Sequence, residues 1–296
     1  MSRPASPAEL VVALGEQDYL ADRGLATAMF LALSLDRPLL LEGEAGVGKT
    51  EAAKALAASF GVELVRLQCY EGIDAGQALY EWDYARQLLH IRALSERAAA
   101  DDRAVEELFG PRFLVERPLL KALRAGDGVV LLIDEIDRAD DEFEAFLLEV
   151  LSDFQVTVPE IGTIRAEVPP PVIVTSNRTR ELHDALKRRC LYHWIDYPTP
   201  EREVEIVRAR APEVAGELAA KVTAAVARLR QLDLAKPPGV AETIDWAHAL
   251  RALGATVLDE ASAADTLGAV VKDHDDMLLV RERLAALVAD PAGGNG

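Results

Sequence analysis

Cysteine is nearly absent from this 296-residue chain. Cys69 and Cys190 form no C-x-x-C pair, which excludes a redox centre of that type. Both are expected to be reduced, half-buried and structural, as suits the cytoplasm. The histidines show no H-E-x-x-H and no metal-site spacing, and His274-Asp275-Asp276 reads as a solvated helix start. Long apolar runs are missing too. The longest near the centre, Val129 to Ile133, is far too short to span a bilayer, and Met1 to Pro7 lacks the apolar stretch of a signal peptide. A cytoplasmic chain with no membrane span is therefore expected. Basic residues are in deficit, 32 against 50 acidic, for a net charge of −18. Proteins that neutralise phosphates along a duplex are normally basic, so nucleic acid is a disfavoured partner. No long low-complexity tract interrupts the half of the residues that are hydrophobic, so the chain is globular, with one large core or a large and a small one.

What is present centres on Gly43-Glu44-Ala45-Gly46-Val47-Gly48-Lys49-Thr50, which fits G-x-x-x-x-G-K-[ST]. The apolar Pro38-Leu39-Leu40-Leu41 before it reads as a buried strand, and the Ala-rich Glu51 to Ala58 after it as a helix. Glycines at 43, 46 and 48 allow backbone angles and approaches that a Cβ forbids. The loop can then turn its N–H groups around phosphates at the positive end of the following helix. Lys49 adds a point charge, and the Thr50 hydroxyl is a ligand for Mg²⁺. The expected ligand is a nucleotide.

The rest of the chain builds a sheet around that loop. Residues 1–8 are rich in Pro and Ser and read as loose, and Leu25 to Leu35 as a helix. Strands are predicted at Pro38 to Leu41, Val62 to Leu67, Val129 to Ile133, Pro171 to Asn177 and Tyr192 to Asp196. The continuous apolar runs among them suit strands buried on both faces. Strands alternating with helices predict an α/β fold, an αβα sandwich with a five-stranded parallel sheet, whose ligand sits at the carboxyl ends of the strands. Aromatics are scarce, yet Tyr70, Tyr80, Trp82 and Tyr84 share the irregular stretch from about 69 to 125. Tyr80, Trp82 and Tyr84 alternate as on a strand, with Leu88 to Ile91 as its return arm. They form either a cluster holding an insertion together or a surface for a subunit or client. After Tyr197-Pro198-Thr199-Pro200 the pattern is helical, at 201–210, 213–231, 243–253 and 273–288. The division expected is a nucleotide-binding domain over 1–197, a small helical domain over 198–289 and a disordered tail over 290–296.

Polar residues close the predicted strands. Asp134 and Glu135 follow five apolar residues, and as successive strand residues they would face opposite sides. Asp134 would complete a Mg²⁺ shell with Thr50, while Glu135 would orient and deprotonate the attacking water. Asn177 is placed to align that water; capping a strand-to-helix turn is the plainer role. Arg188 and Arg189 close the next helix, either as cations favoured at its C-terminus or as an arginine finger for a neighbouring subunit's γ-phosphate.

These elements, in this order, resemble the AAA+ ATPases. The detail is similar to the MoxR branch, on Arg37 to Gly43, Leu132-Ile133-Asp134-Glu135-Ile136-Asp137-Arg138-Ala139 and Thr175-Ser176-Asn177. Asp184 to Cys190 and Glu149 to Asp153 look like the ATPases associated with carbon monoxide dehydrogenase and related molybdenum hydroxylases. The resemblance covers about Tyr19 to Leu258. It implies Gly43 to Thr50 as Walker A, Asp134 and Glu135 as Walker B, Asn177 as sensor one, and Arg188 or Arg189 as the finger. It further implies a helical lid, a homo-oligomeric ring, usually hexameric, a chaperone role toward a metalloenzyme client, and a partner carrying a von Willebrand factor A domain. One departure stands out: where the family often carries an arginine at the start of a lid helix, this chain has Glu242 and Thr243.

A P-loop also serves small-molecule kinases and nucleotide-dependent scaffolds. Asp134, Glu135 and Asn177 handle water, which argues against a kinase, and an intact Lys49, Asp134 and Glu135 argue against a scaffold without turnover.

Overall fold

The structure, a computed structural model, describes residues 3–93, 108–159 and 161–289. The tail expected to be disordered, 290–296, lies outside the described residues. The strands are β1 (Leu39–Gly43), β2 (Glu63–Gln68), β3 (Tyr80–Trp82), β4 (Leu114–Glu116), β5 (Val129–Asp134), β6 (Gln155–Val158), β7 (Gly162–Arg165), β8 (Val172–Ser176) and β9 (Leu191–Ile195). Five of them form a parallel sheet in the order β2-β5-β8-β1-β9, flanked by helices as in P-loop NTPases. Burial explains why the inner strands read as unbroken apolar runs. Every residue of β1, β5 and β8 is buried, whereas β2, on an edge, alternates. Parallel register aligns Gln68 with Asp134 and Glu42 with Ser176, so polar residues gather at one end of the sheet.

The chain divides into two compact units. The first comprises Met1–Gln17, Ala21–Glu42 and Thr50–Trp194; the second comprises Asp18–Leu20, Gly43–Lys49 and Ile195–Gly296. In the first, a core of aliphatic side chains from β2, β5 and β8 joins those of the helices Pro118–Ala125 and Asp141–Asp153. In the second, the helices Pro200–Arg210, Gly216–Leu229, Val240–Ala252, Glu260–Val270, His274–Glu282 and Leu284–Val288 enclose Trp246 among aliphatic residues.

Several expectations change. The start of the chain is ordered from Pro7, because Ser6 caps the helix Pro7–Gly15 by accepting from the Glu9 N–H at 3.2 Å, with proline at the first helical position. Leu88 to Ile91 is not the return arm of the aromatic strand. It lies in the helix Tyr84–Ala93, and β4 pairs with β3 instead, Trp82 opposite Leu114. Two of the four aromatics cluster within this segment: Trp82 packs edge-on against Tyr80 and Phe109, and Phe113 packs against His90, whereas Tyr70 and Tyr84 are exposed. The hairpin β6–β7 had no prediction; its four-residue strands fall below a readable period. Glu260–Val270 was also missed, being Ala-rich with a weak apolar stripe, and the helix expected over 273–288 breaks at Arg283. Asp276 is no solvated residue. It is 4% exposed and accepts from the N–H groups of Ala235 and Lys236 at 2.8 and 2.9 Å.

Both cysteines are free and fully buried rather than half-buried. Burial pushes each thiol up to about 12, with Asp134 adding to the effect at Cys69 and Arg37 opposing it at Cys190. The reactive thiolate is thus suppressed at neutral pH. A disulfide-exchange reagent at pH 8 is expected to leave the native protein almost unlabelled and to titrate both thiols once guanidinium unfolds it; rapid labelling of the native chain would contradict this burial.

Candidate active site

Asp134 ends β5, is 2% exposed, and is held by three neighbours in the first unit. The Thr50 hydroxyl donates to Oδ1 at 3.0 Å and the Thr175 hydroxyl at 2.6 Å. Arg66 donates to Oδ2 through Nε at 2.9 Å and Nη2 at 2.5 Å. A buried carboxylate is tolerable only when its lone pairs are engaged, and a guanidinium fork with two hydroxyls does this. Thr50 and Asp134, the two residues expected to hold Mg²⁺, therefore share a hydrogen bond. Their hydroxyl and carboxylate oxygens are the hard donors that ion takes.

Glu135 has already left the strand. Its φ of 56° and ψ of 50° are left-handed, an arrangement that costs an L-residue on the order of 1–2 kcal/mol. The expected alternation of faces along a strand is therefore not what separates Glu135 from Asp134; the backbone turn does so. Thr175 holds the turn from both sides, accepting from the Glu135 N–H at 2.9 Å while donating to Asp134. The Glu135 carboxylate is 31% exposed and meets Arg138 at 2.9 Å and Gln68 at 3.1 Å.

Asn177 follows β8, half-buried. Asp137, 2% exposed, anchors that strand end, accepting from the N–H groups of Asn177 at 3.2 Å and Thr179 at 2.9 Å and from the Thr179 hydroxyl at 2.7 Å. One sheet end thus brings together Thr50, Asp134, Glu135 and Asn177.

Arg188 and Arg189 do close a helix, Asp184–Arg189. The carbonyls there are capped by a different cation: Arg37 donates to Arg188 O at 2.7 Å, Arg189 O at 3.1 Å and Cys190 O at 3.2 Å. The Arg189 guanidinium bonds the Ser152 carbonyl. The Arg188 guanidinium is exposed and, among the described residues, has no hydrogen-bond or ion-pair partner.

The loop Gly43–Lys49 belongs to the second unit. Gly46 at φ 76° and Gly48 at φ 96° adopt left-handed angles that carry it into the helix Lys49–Phe60. The first N–H groups of a helix lack intrahelical acceptors, which suits a phosphate. Lys49 is 6% exposed and donates to the carbonyls of Gly43 at 2.8 Å and Glu44 at 2.6 Å, so its charge is held on the loop itself. Glycine angles, helix start and buried ammonium fit a polyphosphate.

The family profile for the AAA domain (dynein-related subfamily) matches residues 38–190, from the start of β1 to the end of the arginine helix. The chain belongs to this AAA family. An uncharacterized protein of Staphylococcus haemolyticus (strain JCSC1435) is 28% identical over 179 residues, spanning 58% of this chain and 59% of its own length. An uncharacterized protein of Staphylococcus aureus (strain USA300) matches with the same identity and coverage, so this chain spans about three fifths of the relatives it matches (59%). Among solved structures, a point mutant of Thermotoga maritima RuvB aligns with a TM-score of 0.50 at 17% identity, covering 98% of this chain and 82% of that one, a likeness of fold alone.

Arg66, Thr175, Asp137 and Arg37 escaped the sequence reading. A polar residue inside an apolar strand, such as Thr175 in β8, was the available signal. Thr175→Val keeps the shape but leaves Asp134 and the Glu135 N–H short of a partner. It should cost about 1–3 kcal/mol of stability by chemical denaturation, with Thr175→Ser close to wild type; an equally stable valine variant would remove Thr175 from this role.

Proposed function

We propose that this chain is an ATP-hydrolysing AAA+ chaperone of the MoxR type, working in the cytoplasm as a ring, hexameric in the usual case, that remodels or matures a client protein. The supporting observation is the hydrogen bond from the Thr50 hydroxyl to a buried Asp134, beside a Glu135 carboxylate that is held but still reachable by water. Gly43 to Lys49 bind the phosphates and Lys49 supplies positive charge. Thr50 and Asp134 hold Mg²⁺, whose chemistry is to neutralise charge on the phosphate oxygens. Glu135 takes the proton of the attacking water as it adds to the γ-phosphorus and ADP departs, and Asn177 aligns that water.

Arg188 is favoured over Arg189 as the finger reaching a neighbouring subunit, because Arg37 caps the helix and Ser152 engages Arg189. The division into a nucleotide-binding domain over 1–197 and a lid over 198–289 belongs to the same reading. The client side rests on resemblance: Asp184 to Cys190 and Glu149 to Asp153 resemble ATPases associated with carbon monoxide dehydrogenase. The proposed client is accordingly a metalloenzyme of that kind, with a von Willebrand factor A domain protein as partner. The net charge of −18 disfavours nucleic acid.

Glu135→Gln should bind ATP as wild type does and lose about a hundredfold or more of turnover, measured as phosphate release; undiminished turnover would remove Glu135 as the base. Captured on ATP in extract of its own cell, the same variant should retain its client. Arg188→Ala should lower turnover about a thousandfold while leaving nucleotide binding intact, with Arg189→Ala milder. The reverse ranking would transfer the finger to Arg189.

A further inference from the structure

In the second unit, the helix Val240–Ala252 begins without a side-chain cap, since Gly239 carries none. Its cap is the phosphate loop. The carbonyl of Gly46 accepts from the Val240 N–H at 3.0 Å and the Ala241 N–H at 3.3 Å, occupying the place an Asp or Ser oxygen takes at ordinary helix starts. The approach is so close that only glycines fit. A Cβ on Gly46 would lie 2.9 Å from the Cα of Gly239, and one on Gly239 would lie 2.8 Å from the Ala45 carbonyl.

The turn before the helix is fixed from behind. Arg230 donates to the Pro238 carbonyl at 2.7 Å and to both oxygens of the buried Glu203 at 2.6 and 2.8 Å, while Thr243 donates to Glu203 at 2.6 Å. Glu242 is thereby set in one place. Its Oε2 accepts from the Gly239 N–H at 2.9 Å, and a Cβ on Gly46 would stand 2.9 Å from that same oxygen. A carboxylate is thus locked against the middle of a loop fitted to phosphate. The helix's first turn holds acidic Glu242 and no cation.

We propose that Glu242 is a positioning residue of negative sign: it lowers the affinity of the loop for polyphosphate, more for a triphosphate than for a diphosphate, and so keeps nucleotide exchangeable. The inference rests on the loop being the nucleotide site. Like charges a few ångströms apart at a half-exposed site repel enough to change an equilibrium severalfold, and the repulsion grows with the ligand's charge and shrinks with salt.

Glu242→Gln separates charge from structure, because glutamine at this helix position also accepts from the cap N–H. Fluorescent ATP and ADP analogues would be titrated into the full chain at low and high salt, beside Lys49→Ala and with melting temperatures recorded. The glutamine variant should melt as wild type does and bind the ATP analogue roughly fivefold or more tightly, the ADP analogue with a smaller gain, and both gains should fall at high salt. Equal or weaker binding by Glu242→Gln, with wild type binding and Lys49→Ala not, overturns the role of Glu242 and leaves the nucleotide site standing. Failure of wild type to bind either analogue overturns the nucleotide site itself. Should the glutamine variant melt lower, Glu242→Lys decides: tighter binding supports the charge effect and unchanged binding overturns it.

Discussion

A single buried carboxylate organises the sheet end. Asp134 lies beneath the strand tips, and removing it from water is acceptable only because Thr50, Thr175 and Arg66 meet its oxygens. Each of those partners belongs to a different element: the helix after the phosphate loop, β8 and β2. The charge therefore fixes how three elements of one unit meet. The left-handed step at Glu135 is a consequence, since the Thr175 hydroxyl that serves Asp134 also takes the Glu135 N–H.

The second unit solves a related problem by other means. A half-buried arginine and a buried glutamate form a two-pronged pair, with the Arg230 guanidinium 4.5 Å from the centre of the Tyr197 ring. Taken alone, such a pair is weak evidence for stability. Here it has a definite geometric product, a fixed Pro238-Gly239 turn, and that turn meets the Gly46 carbonyl. The glycine loop is thus tied to a helix by main-chain hydrogen bonds rather than by a long cationic side chain.

Much of the sheet was legible because its central strands are buried on both faces, so Leu39 to Leu41, Val129 to Ile133 and Val172 to Val174 announce themselves as apolar runs. The glycines and Lys49 were legible because few other residues meet the constraints of that loop. Supporting residues were not. Thr175, Asp137 and Arg66 act through partners far apart in sequence, and nothing local distinguishes them from ordinary polar residues. The turn at Glu135 was invisible for the same reason: its stabilising hydroxyl lies 40 residues away. Short paired segments such as β4, β6 and β7 are decided by the strand each one finds, and three or four residues carry too little period to show it.

The Arg37 fork has a consequence for how the chain can vary. It grips the carbonyl oxygens of residues 188, 189 and 190, atoms that every amino acid possesses. The end of that helix is thereby secured whatever side chain position 188 carries. Exchange of the side chain at position 188 would leave these contacts in place, because none of them runs through it.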